Sequence, residues 1–124
     1  LTYPSDAFDL VLTSETLEHV PDPALALAEI RRILKPGGRH IFTLPVLPGI
    51  ARSFPRIKIM PDGSRQYLEP PIHHPGGDSG YPVFTEWGAD LPEILNHAGF
   101  CVDSRFGPPR DADLAQVWIT QKKG

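Results

Sequence analysis

Glu15-x-x-Glu18-His19 concentrates more potential chemistry than any other short stretch of this sequence. Taken as one helical turn, positions i, i+3 and i+4 share a face, so two carboxylates and an imidazole converge. Oxygen donors with one or two imidazoles suit magnesium, manganese, iron or zinc. His73 or His74, ahead of Phe84-Thr85-Glu86-Trp87, can add a ligand, which makes Glu15, Glu18, His19 and His74 the candidate metal set. The competing reading leaves Glu18 and His19 as local capping and surface residues. His19 is also a candidate general base, since an unperturbed imidazole titrates near ~6.5. Thr13, Ser14 and Glu15 follow a short apolar run, where two hydroxyls and a carboxylate either meet a ligand or cap a strand end.

The elements that must position these residues follow from the pattern. Phe8-Asp9-Leu10-Val11-Leu12 is an apolar run with polar flanks and reads as a buried strand of a parallel sheet. After Glu15 to Val20, Asp22 is placed to cap a helix with Pro23 in its first turn. Leu27, Ile30, Ile33 and Leu34 fall on one helical stripe, and Arg31, Arg32 and Lys35 suit the carboxyl end of the dipole. Pro36-Gly37-Gly38 reads as the helix stop. His40 to Leu44 is the next buried strand, completing a βαβ unit. From Pro45 to Pro82 the chain is irregular, with eight of its 15 prolines. Such long stretches are often binding loops. Phe84-Thr85-Glu86-Trp87 reads as a helix start with Thr85 as cap, Leu91, Ile94, Leu95 and Ala98 as apolar face, and Gly99 as stop. Phe100 to Phe106 and Ala115 to Thr120 are expected to form an antiparallel hairpin at the sheet edge, with Cys101 as a small buried apolar residue. His40, His97, Trp87 and Trp118 read as structural.

The predicted class is therefore α/β, mostly parallel with an antiparallel terminal strand. Ligands of such sheets bind beyond the carboxyl ends of the strands, which puts Thr13 to His19 and Pro45 to Val46 at the binding edge. The length of 124 residues fits one domain. A single cysteine excludes an internal disulfide framework, and no signal-like or membrane-length apolar run is visible, so the expected location is cytoplasmic. The net charge of −3 hides an asymmetry. Residues 1–30 carry Asp6, Asp9, Glu15, Glu18, Asp22 and Glu29 with no Lys or Arg. Residues 31–65 carry eight bases against Asp62 alone. A global nucleic-acid footprint is absent, though Arg52, Arg56, Lys58 and Arg65 offer a local cationic stretch to an anionic acceptor.

Asp6 to Pro23, then Leu34-Lys35-Pro36-Gly37-Gly38-Arg39, then Phe84-Thr85 and Leu95-Asn96-His97-Ala98-Gly99-Phe100, resemble in order and spacing the class I S-adenosylmethionine-dependent methyltransferases of type 11. The resemblance covers the carboxyl-terminal half of that Rossmann-like domain. It implies a single partial methyltransferase domain over residues 1–124, with 45–83 as a substrate-side insertion. It also implies S-adenosylmethionine as cofactor, with Thr13, Ser14 and Glu15 lining its methionine or sulfonium region and Leu17 packing beneath. The acceptor expected is a small molecule. Glu-x-x-Glu-His with a later His is similar to the pattern of metal-assisted O-methyltransferases acting on RNA 3′ ends or on phenolic quinone precursors. There a divalent metal lowers the pKa of the acceptor hydroxyl. The glycine-rich turn that cradles the cofactor in this family is not in these 124 residues. The chain thus reads as a fragment, inactive alone, or as a non-catalytic interaction module. A half-sheet leaves the Phe8 to Leu12 strand with an unpaired edge, and pairing with a second copy is the expected consequence.

Overall fold

A computed structural model describes residues 2–47, 49–107 and 115–124. The chain runs β1 (Phe8–Ser14), α1 (Pro23–Ile33), β2 (Leu34–Pro45), β3 (Phe54–Pro55), β4 (Ile57–Ile59), β5 (Arg65–Tyr67), β6 (His73–His74), β7 (Tyr81–Pro82), β8 (Thr85–Glu86), α2 (Leu91–His97), β9 (Phe100–Phe106) and β10 (Ala115–Lys122). The main sheet has the order β1-β2-β10-β9. β1 and β2 pair in parallel, and β10 runs antiparallel to both β2 and β9. Three strands therefore point one way, yet only one of the three ladders is parallel. The expected hairpin is present, but β10 inserts between β2 and β9 and leaves β9 as the edge.

The first crossover forms as its residues dictate. Asp22 caps α1 by accepting from the Leu25 backbone N–H at 3.0 Å, and Pro23 opens the helix. Leu27, Ile30 and Ile33 turn inward on one stripe. The stop is not the one expected. α1 ends at Ile33, Leu34 is already extended (φ −75°, ψ 137°), and Lys35 to Gly38 lie inside β2. A residue before proline is disfavoured in the helical region, so Pro36 ends the helix ahead of Lys35 and removes the need for a glycine cap. The glycines serve a bulge instead, where the β1–β2 register shifts between Phe8 and Leu10. A Cβ on Gly38 would meet the Lys35 carbonyl oxygen at 2.8 Å and that of Phe8 at 3.2 Å.

The core joins Leu27, Ile30 and Leu34 to Phe42 and Leu44 of β2, Leu91 and Leu95 of α2, and Phe100, Trp118, Trp87 and Leu17. Each such side chain contributes about 1.5–3 kcal/mol when fully withdrawn from water. Phe42 and Trp118 stack at 6.4 Å with planes 9° apart. β1, expected to be buried, is an edge strand with Leu10 47% and Leu12 67% exposed. Only its Val11 and Thr13 face turns toward α1; among the described residues nothing covers the other face. Cys101 is exposed rather than buried, because Phe100 takes the inward position at the start of β9.

Residues 46–90 are more ordered than their composition suggests. Three short antiparallel ladders, β3·β8, β4·β5 and β6·β7, hold this segment together. Phe84 to Trp87 does not open a helix. Thr85 pairs with Pro55 in β8, and Val46 bridges Trp87. α2 starts only at Leu91, and Asp90 before it accepts from the Ser53 backbone N–H (2.8 Å) and hydroxyl (2.6 Å) instead of capping. Gly99 does follow the helix end in the left-handed region (φ 92°), as expected.

Candidate functional site

β1 delivers Thr13, Ser14 and Glu15 to the carboxyl rim of the parallel pair, where the sequence reading put them. Glu15 has φ 47°, a left-handed backbone that costs a non-glycine residue energy. Its N–H is held at that rim by Thr43, through the backbone carbonyl at 3.0 Å and the hydroxyl at 3.1 Å. The Ser14 and Thr43 hydroxyls are 3.1 Å apart. Thr16 to His19 then forms a tight turn, closed by the His19 N–H on the Thr16 carbonyl at 2.9 Å. This is one turn and not a helix, so Glu15, Glu18 and His19 do not share a helical face.

Thr13 and Leu17 line a groove of about 600 Å³ between β1 and α1, along with Val11, Leu25, Ala26 and Ile30. That volume lies within the roughly 300–1,000 Å³ of small-molecule sites. The walls are mostly apolar, and Leu17 is fully buried beneath. Ser14 and Glu15 are exposed beside it at the strand end. A second, smaller groove of about 240 Å³ lies between Pro23, Leu27, Phe54, Ile57, Trp87 and Ile94.

The tight turn also points Glu18 and His19 toward His74 on β6. One donor atom from each lies within 4.8 Å of the others. The His19 Nδ1–H donates to the Pro82 carbonyl at 2.8 Å. In the neutral ring this leaves Nε2 with its lone pair, 3.1 Å from His74 Nδ1 and 3.5 Å from a Glu18 carboxylate oxygen. A backbone carbonyl that fixes the tautomer in this way orients histidines for metal ligation. Glu18 is buried (1% exposed), and neither of its oxygens has a hydrogen-bond partner of good geometry. Burial, and next the neighbouring Glu15 and Glu86 carboxyls, push its pKa up to about 7. Burial and the adjacent His19 hold the His74 imidazole below its ordinary value. Of the expected set, Glu18, His19 and His74 come together; Glu15 is near enough to act on Glu18 and His74 electrostatically, but it is not one of the three convergent ligands. His73 is exposed.

Sequence reasoning missed the company this cluster keeps. Glu86, expected in a helix start, is buried in β8 and lies 3.6 Å from Arg56. Arg56 also donates to the Pro70 carbonyl at 2.9 Å. The Phe84 and Thr85 N–H groups both reach the Glu18 carbonyl. The expected cationic stretch is dispersed: Arg52 faces Glu93 at 3.5 Å, and Arg65 lies over the Phe84 ring.

Residues 1–42 match a family described as a methyltransferase domain. The ubiquinone/menaquinone biosynthesis C-methyltransferase UbiE of Hydrogenovibrio crunogenus is 36% identical over 111 residues, covering 77% of this chain and 44% of that protein. The chain spans about half the length of the curated relatives it matches. An S-adenosylmethionine-dependent methyltransferase from Mesorhizobium loti superposes with a TM-score of 0.67 at 21% identity, over 98% of this chain and 65% of that one. The Burkholderia thailandensis 1,6-didemethyltoxoflavin-N1-methyltransferase, solved with bound 1,6-didemethyltoxoflavin and S-adenosylhomocysteine, superposes with a TM-score of 0.66 at 21% identity, over 98% of this chain and 46% of that one. The likeness of fold thus extends through the segment 46–90.

Proposed function

We propose that the chain is part of a class I S-adenosylmethionine-dependent methyltransferase, as its sequence relatives and its fold support, and that it builds one wall of a cofactor pocket for methyl transfer to a small-molecule acceptor. The supporting observation is the grouping of Thr13, Ser14, Glu15 and Leu17 at the carboxyl rim of the β1–β2 pair, beside a groove of about 600 Å³. When bound, S-adenosylmethionine supplies an activated methyl on a sulfonium. The Glu15 carboxylate suits that positive charge, and the apolar walls with Leu17 exclude water from the reacting centre. Alignment of acceptor and methyl carries most of such a reaction, so no base is required. His19 is not needed for it.

A small-molecule acceptor is favoured over nucleic acid, because the net charge is −3 and Arg52 and Arg56 are engaged within the fold. A quinone-type ring as acceptor is supported by the likeness to the ubiquinone/menaquinone C-methyltransferase named above. The family's glycine-rich cradle is not among these 124 residues, and weak affinity for the cofactor product is the expected outcome. Millimolar S-adenosylhomocysteine should shift the amide NMR signals of Thr13 to Leu17 and leave those of β9 unmoved. Shifts confined elsewhere refute the wall; micromolar affinity refutes the expectation of weak binding.

The second reading is metal-assisted O-methylation, and its support is the convergence of Glu18, His19 and His74. Here Glu15 stands beside the ligands, and a divalent cation would lower the pKa of an acceptor hydroxyl. Manganese and zinc titrations by calorimetry should give heat with the wild-type chain, less with Glu15→Ala, and none with Glu18→Gln or His74→Ala. Equal heats in all four proteins remove the metal. The edge of β1, unpaired among the described residues and with Leu10 and Leu12 exposed, is the proposed surface for pairing with a second copy. Sedimentation as a monomer at high concentration rejects it.

A further inference from the structure

His40 is fully buried in β2, stacked at 4.5 Å on Phe42, and nothing assigned to the site so far uses it. Its Nε2 lies 2.9 Å from the Thr13 hydroxyl, while its Nδ1 is buried with no partner. Parallel pairing sets Val11 opposite His40 and Thr13 opposite Phe42, so imidazole and hydroxyl meet on the face that carries the groove.

We infer that His40 is a positioning residue: its Nε2–H donates to the Thr13 hydroxyl oxygen and leaves the hydroxyl's own hydrogen to point into the groove, as a fixed donor to an acceptor atom of a bound adenosyl ligand. The choice of tautomer follows from satisfaction. A proton on Nδ1 would strand a buried donor beside the Phe42 and Phe100 rings, and orphaned buried N–H groups are rarer than bare acceptors. A proton on Nε2 strands only a lone pair. Burial also holds the ring neutral, its pKa pulled down to about 4. A charged imidazole, with two donors, does not form here at neutral pH. Among the described residues the Thr13 hydroxyl has no other hydrogen-bond partner, so its hydrogen is unspent. On the apolar β1 wall, that single oriented donor fixes where a polar atom of the ligand sits.

The inference rests on the groove being the cofactor site, and its test separates the two. Long-range ¹H–¹⁵N correlation at pH 7 on the uniformly labelled chain reads the tautomer of His40 directly, with no ligand present. Protonation on Nε2 is expected; protonation on Nδ1, or on both nitrogens, overturns the inference whatever binds. S-adenosylhomocysteine titration by NMR then compares Thr13→Val with Thr13→Ser. Loss of one net hydrogen bond predicts about 3- to 10-fold weaker binding for Val and near-wild-type binding for Ser. Equal binding by wild type and Thr13→Val overturns the donor role. If the wild-type chain shows no shifts at Thr13 to Leu17, the cofactor reading fails, and the tautomer alone decides the role of His40.

Discussion

Glu18→Gln should stabilise this protein at neutral pH, although Glu18 is among its most buried side chains. The carboxyl is pushed from 4.5 to about 7, chiefly by burial. Between those values the folded chain keeps a proton that the unfolded chain releases. A group with a raised folded pKa contributes fully below pH 4.5, and the contribution is lost as pH climbs through 7. The difference of roughly 2.5 pH units, at 1.36 kcal/mol each, makes about 3 kcal/mol the upper end of the loss. Gln has no such titration. Urea unfolding of both proteins, with chelator present, should give a difference in stability that grows in favour of Gln by up to about 3 kcal/mol between pH 4.5 and 8. The comparison must be between variants, because His40 tilts the other way. Its folded pKa of about 4 lies below the unfolded 6.5, so stability falls as pH drops through that window. The two slopes oppose each other in the wild-type protein, and Glu18→Gln removes one of them. Parallel profiles for the two proteins would refute the claim that burial holds the Glu18 carboxyl protonated in the fold. Adding a cation that binds the cluster should erase the advantage of Gln, since ligation favours the ionised Glu18.

Asp22→Ala removes the accepted Leu25 N–H and should cost about 1 kcal/mol in denaturant unfolding; an unchanged midpoint would mean that the cap is idle. Gly99→Ala places a Cβ against the Arg31 side chain at a backbone φ of 92°, and should destabilise by more than about 1 kcal/mol in the same assay. His40→Gln should flatten the loss of stability between pH 6.5 and 4 measured by thermal melts, and a slope as steep as wild type would remove His40 as its source.

How much of this was legible in the sequence depends on how local each cause is. The Asp22-Pro23 cap, the Leu27, Ile30 and Ile33 stripe of α1 and the two carboxyl-terminal strands rest on neighbours within a few positions and agree with the structure, whereas Leu34, expected on that stripe, begins β2. Lys35-Pro36-Gly37-Gly38 carried a helix stop and a bulge in the same residues, and only the reach of β1 along β2 decides between them. Thr85 carried a local cap signal that lost to pairing with Pro55, thirty positions away. At the site, Glu15, Glu18 and His19 stand together in the sequence, and His74 joins them as the expected fourth member although His73 beside it offers the same imidazole. Antiparallel pairing of β6 with β7 settles it, setting His74 against Tyr81, the residue before the Pro82 whose carbonyl His19 holds. His40 gave the weakest signal of all. Its alternation with Phe42 and Leu44 marks an inward position, yet an inward histidine in an apolar strand is more often packed than used. What distinguishes it is a hydroxyl 27 positions away, brought alongside by the register of a parallel ladder that no local pattern specifies. The polar side chains that matter in this protein are therefore those whose partners arrive across the sheet, and a search for function in related chains should pair strand registers before it ranks motifs.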